Sequence, residues 1–153
     1  MNIFYLDSNP VKSAELHCDK HVVKMIIEYA QLMSTAHRVL DGDLYEDRTA
    51  NNHRIKRWRL ADSNMEGVVY KASHINHPSA IWTRDSDANY QFVYDMFVAL
   101  CDEYTYRYGR VHLTEQKLKD LLQHTPTNIA SKTFVEPPQA MPDDVKTTNA
   151  VDA

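Results

Sequence analysis

The chain has 153 residues, 43% hydrophobic and 25% charged. That is enough apolar mass for one folded domain with its own core, and it is unlike the composition of a disordered chain. A formal net charge of −4 works against nucleic acid as a partner unless basic residues are gathered in one patch, because DNA affinity rests on cationic contacts. Three glycines and two cysteines exclude a glycine-rich phosphate loop and a disulfide framework, and free thiols in a reducing compartment are expected. The N-terminus lacks the cationic-then-apolar order of a signal peptide, and no apolar run approaches the ~18 residues of a membrane span. The expected location is the cytoplasm, with no membrane partner.

In chain order, Ile3 to Leu6 is a short apolar entry. Asn9 reads as a helix N-cap with Pro10 at the first helical position, where no backbone donor is needed. The stretch His17 to Leu40 is the dominant element of the chain. At ~100° per residue, its apolar side chains cover more than half of a helix, so it is expected to be buried on most sides. A strip about 80° wide remains polar and carries His21, Lys24, Glu28, Gln31 and Thr35. This strip reads either as a solvent-facing charged face or as one wall of a cleft, and the cleft, lined by Lys24 and Glu28, is favoured. Asp41-Gly42-Asp43 ends the helix, with Gly42 expected as a left-handed cap.

Residues 43–63 have no clean period. Within them Arg54, Lys56, Arg57 and Arg59 surround Trp58, a combination suited to phosphate contacts and base stacking. A solvated loop with Trp58 anchored in the core fits the same residues. Asn64 to Asn76 reads as a helix with Val68, Val69 and Ala72 inward. Pro78 disfavours helix at His77, so His77 is expected at a break, facing a cleft. Ser86 caps a long helix from Asp87 to about Tyr108 that stops at Gly109. Its core stripe includes Phe92, Met96, Ala99 and Leu100, and the same face carries Asn89, Glu103 and Arg107. Glu103 and Arg107 at i, i+4 form either a structural ion pair or a support for a site. Thr114 is expected to cap a last helix ending at Leu122. From His124 to Ala153 the prolines and scarce large apolar residues predict an extended or disordered tail.

Eight histidines raise the question of a metal, but the His17/His21 and His74/His77 pairs lack carboxylates at ligand spacing, and neither metal nor cofactor is expected. Cys18 and Cys101 read as structural. Lys24 and Glu28 remain, an amine one helical turn from a carboxylate. They form either a plain surface ion pair or a nucleophile with its proton-transfer partner.

The order A-E-L-H-C-D-K-H-V-V-K-x3-E-x2-Q from Ala14, H-P-S-A-I-W from His77, N-Y from Asn89 and C-D-E-Y-x2-R-Y-G from Cys101 resembles a family of small bacterial and phage proteins, the pyrimidine-dimer DNA glycosylase-like family. The resemblance spans about residues 14 to 112. A looser similarity links Asp19, His21 and Glu28 to the Asp-x-His-x6-Glu spacing of the phage pyrimidine-dimer glycosylase, endonuclease V. In that enzyme a glutamate is catalytic and the N-terminal amino group attacks the sugar C1′. The resemblance implies that Glu28 stabilises the ring-opened sugar and moves protons. The resemblance does not supply Lys24, which, one turn from Glu28, is offered as a substitute for the N-terminal amine. The resemblance also implies a cytoplasmic repair role, in the infected host if the chain is phage-encoded.

The combined expectation is an all-α protein, a single-domain helical bundle over residues 1–123 around a buried central helix, followed by the tail 124–153. Lys24, Glu28, His77, Asn89, Glu103 and Arg107 are expected to converge, with His21 as a further catalytic group and Gln31 on substrate. The cluster at 54–59 is expected to grip duplex DNA containing damaged pyrimidines. The expected activity is a DNA-repair glycosylase, with or without lyase action. An enzyme of free nucleotides or small molecules, or a non-catalytic phage accessory protein, are the alternatives.

Overall fold

The structure, a computed structural model, describes residues 3–138. Its elements are α1 (Pro10–Glu15), α2 (Asp19–Asp41), β1 (Asp43–Arg48), β2 (Arg54–Arg59), α3 (Ser63–Glu66), α4 (Pro78–Asp85), α5 (Asp87–Tyr108) and α6 (Leu113–Leu122). The core lies where α2 and α5 meet. Ile26, Tyr29, Leu32, Met33 and Ala36 pack with Tyr90, Val93, Met96, Phe97 and Leu100, and α4 and α6 close the sides with Ala80, Trp82, Leu118 and Leu122. No described helix is long and apolar enough to cross a membrane.

Several helix ends form as their residues dictate. Asn9 Oδ1 accepts the N–H groups of Val11 and Lys12 at 2.9 and 3.2 Å, with Pro10 in the first turn. Ser86 Oγ accepts the N–H of Asn89 at 3.0 Å, and Gly109 ends α5 in the left-handed region at φ 70°. The cap of α6 is His112, not Thr114. Its Nδ1 accepts the N–H of Thr114 at 3.1 Å, and Thr114 lies inside the helix.

The expectation of an all-α chain is corrected by β1 and β2, which pair antiparallel from Asp43↔Arg59 to Arg48↔Arg54. The turn between them is set by Asn52 at φ 63°, a left-handed conformation that asparagine tolerates better than most residues. The hydrogen bond from Thr49 N–H to His53 O, 2.9 Å, closes it. Gly42 is a second correction, since it is extended at φ −88°, ψ 163° rather than left-handed. Its value is space: a Cβ there would lie 2.5 Å from the Arg38 carbonyl oxygen and 2.9 Å from Trp58 Cβ.

The expected helix 64–76 is reduced to α3. The reason is Arg38, buried on α2. Its guanidinium donates to the carbonyls of Trp58, Glu66, Val69 and Tyr70 at 2.7 to 3.0 Å and to the Glu66 carboxylate at 2.8 Å. Carbonyls that would have accepted helix bonds instead wrap a cation, and residues 67–77 run as irregular chain. Val69 and Ala72 are buried as expected, while Val68 is exposed.

Helix α2 is less enclosed than expected, because Val23 and Ile27 are exposed beside Lys24. After α6 the chain lies extended over the surface, as expected for residues 124–138, and is pinned rather than loose. The Asp41 carboxylate accepts the N–H groups of Thr127 and Asn128 at 2.7 and 2.9 Å, and Phe134 packs on Tyr5, Trp82 and Phe92. The remainder of the expected tail, 139–153, lies outside the described residues.

Candidate functional site

The polar strip of α2 exists as one face of the helix. His21, Glu28 and Gln31 are half-buried, Lys24 is exposed and Thr35 is buried. Lys24 Nζ lies 3.9 Å from Glu28 Oε1, with side chains 67% and 21% exposed. The amine therefore projects towards solvent while the carboxylate sits partly in the wall, so the strip is an open surface at Lys24 rather than the expected cleft. The His21 ring stacks on Phe4 with centroids 4.4 Å apart, which fixes it one turn before Lys24.

Towards its C-terminal end the same strip becomes structural. Thr35 Oγ1 accepts the Ser73 N–H at 3.3 Å, and Arg38 stands within about 40° of Lys24 around the helix at ~100° per residue. Through Arg38 the strip meets the base of the hairpin at the Trp58 carbonyl, 2.8 Å away. One face of α2 thus carries the Lys24–Glu28 pair and, further along, the anchor of the basic hairpin.

The expected convergence of six residues does not occur. Asn89 is buried, donating to the Trp82 carbonyl at 3.0 Å and accepting the Val135 N–H at 3.2 Å, so it ties the tail to α4 and α5. Arg107 lies 18 residues further along α5, roughly 27 Å away at ~1.5 Å per residue, too far to share a site with Asn89. It donates to Glu103 at 2.8 Å, to Asp19 at 2.9 Å and to the carbonyls of His17 and Glu15. This clasp of the α1–α2 junction is the structural alternative for Glu103 and Arg107. Burial works against the Arg107 charge, but Glu103 and Asp19 outweigh it and hold its pKa above the ordinary value. Asp19 stands about 140° around α2 from Lys24, away from the strip. His77 caps α4, its Nδ1 accepting the Ser79 N–H at 3.1 Å. Burial lowers the His77 pKa, which suits the neutral ring that this acceptor role requires.

The histidines of the expected pairs have separate duties. His17 Nδ1 contacts the Ser13 carbonyl at 2.7 Å and Nε2 the Tyr29 hydroxyl at 2.8 Å. Among the described residues no group of three His, Cys, Asp or Glu side chains is placed to hold a metal ion. Cys101 is buried, and burial pushes its thiol pKa up, away from the reactive thiolate.

In the basic cluster, Arg54, Lys56 and Arg59 are exposed. Arg54 pairs with Glu46 at 3.2 Å, and the Arg59 guanidinium lies 4.6 Å over the Tyr45 ring. Arg57 and Trp58 are half-buried anchors: Arg57 donates to the Ala72 carbonyl at 3.2 Å, and Trp58 abuts Gly42. Trp58 is therefore held at the hairpin base. Arg48, absent from the cluster as read in the sequence, faces Arg54 across the strands. The hairpin register reveals it, and the Asn51-Asn52 turn is the sequence signal that could have found it. No family model, no curated protein and no solved structure matches the chain.

Proposed function

We propose that the protein is a DNA-repair glycosylase acting on UV-damaged pyrimidines, with Lys24 as the attacking amine and Glu28 as its proton-transfer partner. The observation that carries this reading is the open strip of α2, where Lys24 stands 3.9 Å from Glu28 on the same face that anchors a basic hairpin. Small-molecule enzymes enclose most of their ligand in a concave pocket. A solvent-facing amine on an open strip favours a macromolecular substrate over the free-nucleotide alternative, and exposed Val23 and Ile27 offer apolar surface to an extruded base.

In this mechanism Glu28 takes a proton from the Lys24 ammonium. The neutral Nζ attacks C1′, the C1′–N glycosidic bond breaks and the base departs with its electron pair. The C1′–Nζ adduct, a secondary ammonium, gives one N–H proton to the departed base. Its nitrogen lone pair then expels O4′ to form the iminium and open the sugar ring, with the protonated Glu28 giving its proton to O4′. On the same strip, His21 is assigned as a further catalytic group and Gln31 to substrate contact.

The test is borohydride trapping on a duplex containing one cyclobutane thymine dimer, with wild type, Lys24→Ala and Glu28→Gln. Wild type is expected to form a covalent complex that Lys24→Ala abolishes and Glu28→Gln slows by about two orders of magnitude, in the range of lost acid–base catalysis. Trapping that persists in Lys24→Ala moves the attack to another amine. A wild-type protein that neither traps nor cuts removes this mechanism for this lesion.

A further inference from the structure

We propose that the β1–β2 hairpin is a ribbon that enters the major groove of duplex DNA on one side of the α2 strip, a placement that rests on the glycosylase reading of that strip. Its charge is the first argument. Residues 43–59 hold five cations (Arg48, Arg54, Lys56, Arg57, Arg59) against three acids (Asp43, Glu46, Asp47), a net of +2, whereas the whole chain carries −4. The rest of the chain therefore carries −6, so the hairpin is a net-positive segment of an acidic chain.

The register is the second argument. Arg48 and Arg54 are direct cross-strand partners, an arrangement that disfavours pairing because like charges face each other. Glu46 relieves Arg54 in part, at 3.2 Å, while Arg48 donates to the neutral Asn52 carbonyl at 3.1 Å. A phosphate between or beside the two guanidiniums turns this repulsion into two charge-assisted contacts.

Shape is the third. Two strands of six residues, five rises of ~3.4 Å, make a ribbon about 17 Å long. The major groove, about 12 Å wide, admits a two-stranded ribbon, and the minor groove, about 6 Å wide, does not. The base of the ribbon is fixed by Arg38 on the Trp58 carbonyl and by Arg57 on the Ala72 carbonyl, and the exposed Asn51, Asn52 and His53 form its tip. Helix α2 then acts as a ruler. Arg38 is ten residues beyond Glu28, about 15 Å at ~1.5 Å per residue, or about four base pairs at ~3.4 Å each. The further ~17 Å of the strands sets the outer limit at about nine base pairs.

The test compares wild type with an Arg48→Ala/Arg54→Ala double variant, both checked for native circular dichroism, since neither side chain is buried. Binding to undamaged duplex is followed across salt concentration, guanine N7 protection is mapped on the dimer-containing duplex, and borohydride trapping is run beside them. The double variant is expected to show a log–log salt slope shallower by about two, one contact per arginine. It is also expected to lose N7 protection about four to nine base pairs to one side of the lesion, and to need more protein for half-maximal trapping. A wild-type slope and N7 pattern in a double variant that traps normally overturns the ribbon and leaves the glycosylase standing. Hairpin-dependent duplex binding without trapping does the reverse. Protection confined to adenine N3 in the minor groove, or a double variant changed only in self-association by sedimentation, overturns the ribbon by giving the hairpin another site or another partner. A wild-type protein that binds no duplex overturns both.

Discussion

Arg38 is the residue on which the middle of the chain depends. It is 3% exposed, yet its guanidinium is hydrogen-bonded to four backbone carbonyls and one carboxylate. The hydrogen bond from Arg38 holds the Glu66 carboxyl below its ordinary pKa, against the smaller effect of burial. The Glu66 side chain is 33% exposed, so the cost of removing Arg38 lies mainly in the buried carbonyls left unpaired, about 2–4 kcal/mol in all. Arg38→Ala is expected to lower stability by that order in urea unfolding. Arg38→Lys is expected to recover little, since a single ammonium cannot reproduce the planar fork of donors. A loss under about 1 kcal/mol in Arg38→Ala would refute its role as the organiser of residues 58–70. In the sequence Arg38 reads only as a cation near a helix end, because its partners are backbone atoms up to 32 residues away.

At the scale of elements, legibility in the sequence depends on the reach of the interactions that set each one. The long helices α2 and α5 are visible because their apolar period and caps are local: Ser86, Gly109, and Asn9 with Pro10 each act within a few residues. The hairpin is hidden because its alternation is written in charges, with Arg54, Lys56, Arg57 and Arg59 in one strand, and its stability comes from pairing and a docked base. The segment 67–77 reads as helix because Val68, Val69 and Ala72 have helical spacing, while the choice of conformation lies with Arg38. The strip on α2 is legible as a pattern, but its openness is not. Asn89, Glu103 and Arg107 share a helix face in the sequence, and only the length of α5 separates them. The helix-to-hairpin junction makes a separate prediction. Gly42→Ala places a methyl 2.5 Å from the Arg38 carbonyl oxygen, and backbone cannot step aside as a flexible side chain can. The expected loss is about 1–3 kcal/mol, the usual size for overpacking. Lost β-hairpin amide protection in hydrogen exchange, with α5 protection retained, would place the damage there. Unchanged protection would show that the junction has slack.

The whole molecule has a built-in sensitivity to acid, and its sign comes from two buried histidines. His37 is 4% exposed, with Nε2 2.9 Å from the Tyr90 hydroxyl, whose own proton goes to the Leu122 carbonyl at 2.7 Å. Burial pushes its pKa down to about 4, against the attraction of Asp41 and a hydrogen bond to the His124 backbone. His17, joined to Ser13 and Tyr29, is lowered by burial in the same direction. In the unfolded chain a histidine titrates near 6.5, so between that value and the folded pKa the unfolded state binds more protons. Stability is therefore fully present above about pH 6.5 and falls as pH drops towards 4. His37 alone supplies up to about 3 kcal/mol of that loss. Urea midpoints at pH 7 and pH 4.5 are expected to separate accordingly, and His37→Gln, which keeps a donor but cannot titrate, is expected to be weaker at pH 7 with a shallower pH dependence. A pH dependence as steep in His37→Gln as in wild type would assign the acid sensitivity to other groups. The two histidines couple α2 to α5, α6 and the α1 turn, so the element that carries the candidate site is also the one whose packing is proton-sensitive. The proposed trapping and ribbon binding are therefore expected to weaken together as pH drops towards 4, with the fold that carries both. A defect in Lys24 or in the hairpin removes only one of the two at neutral pH.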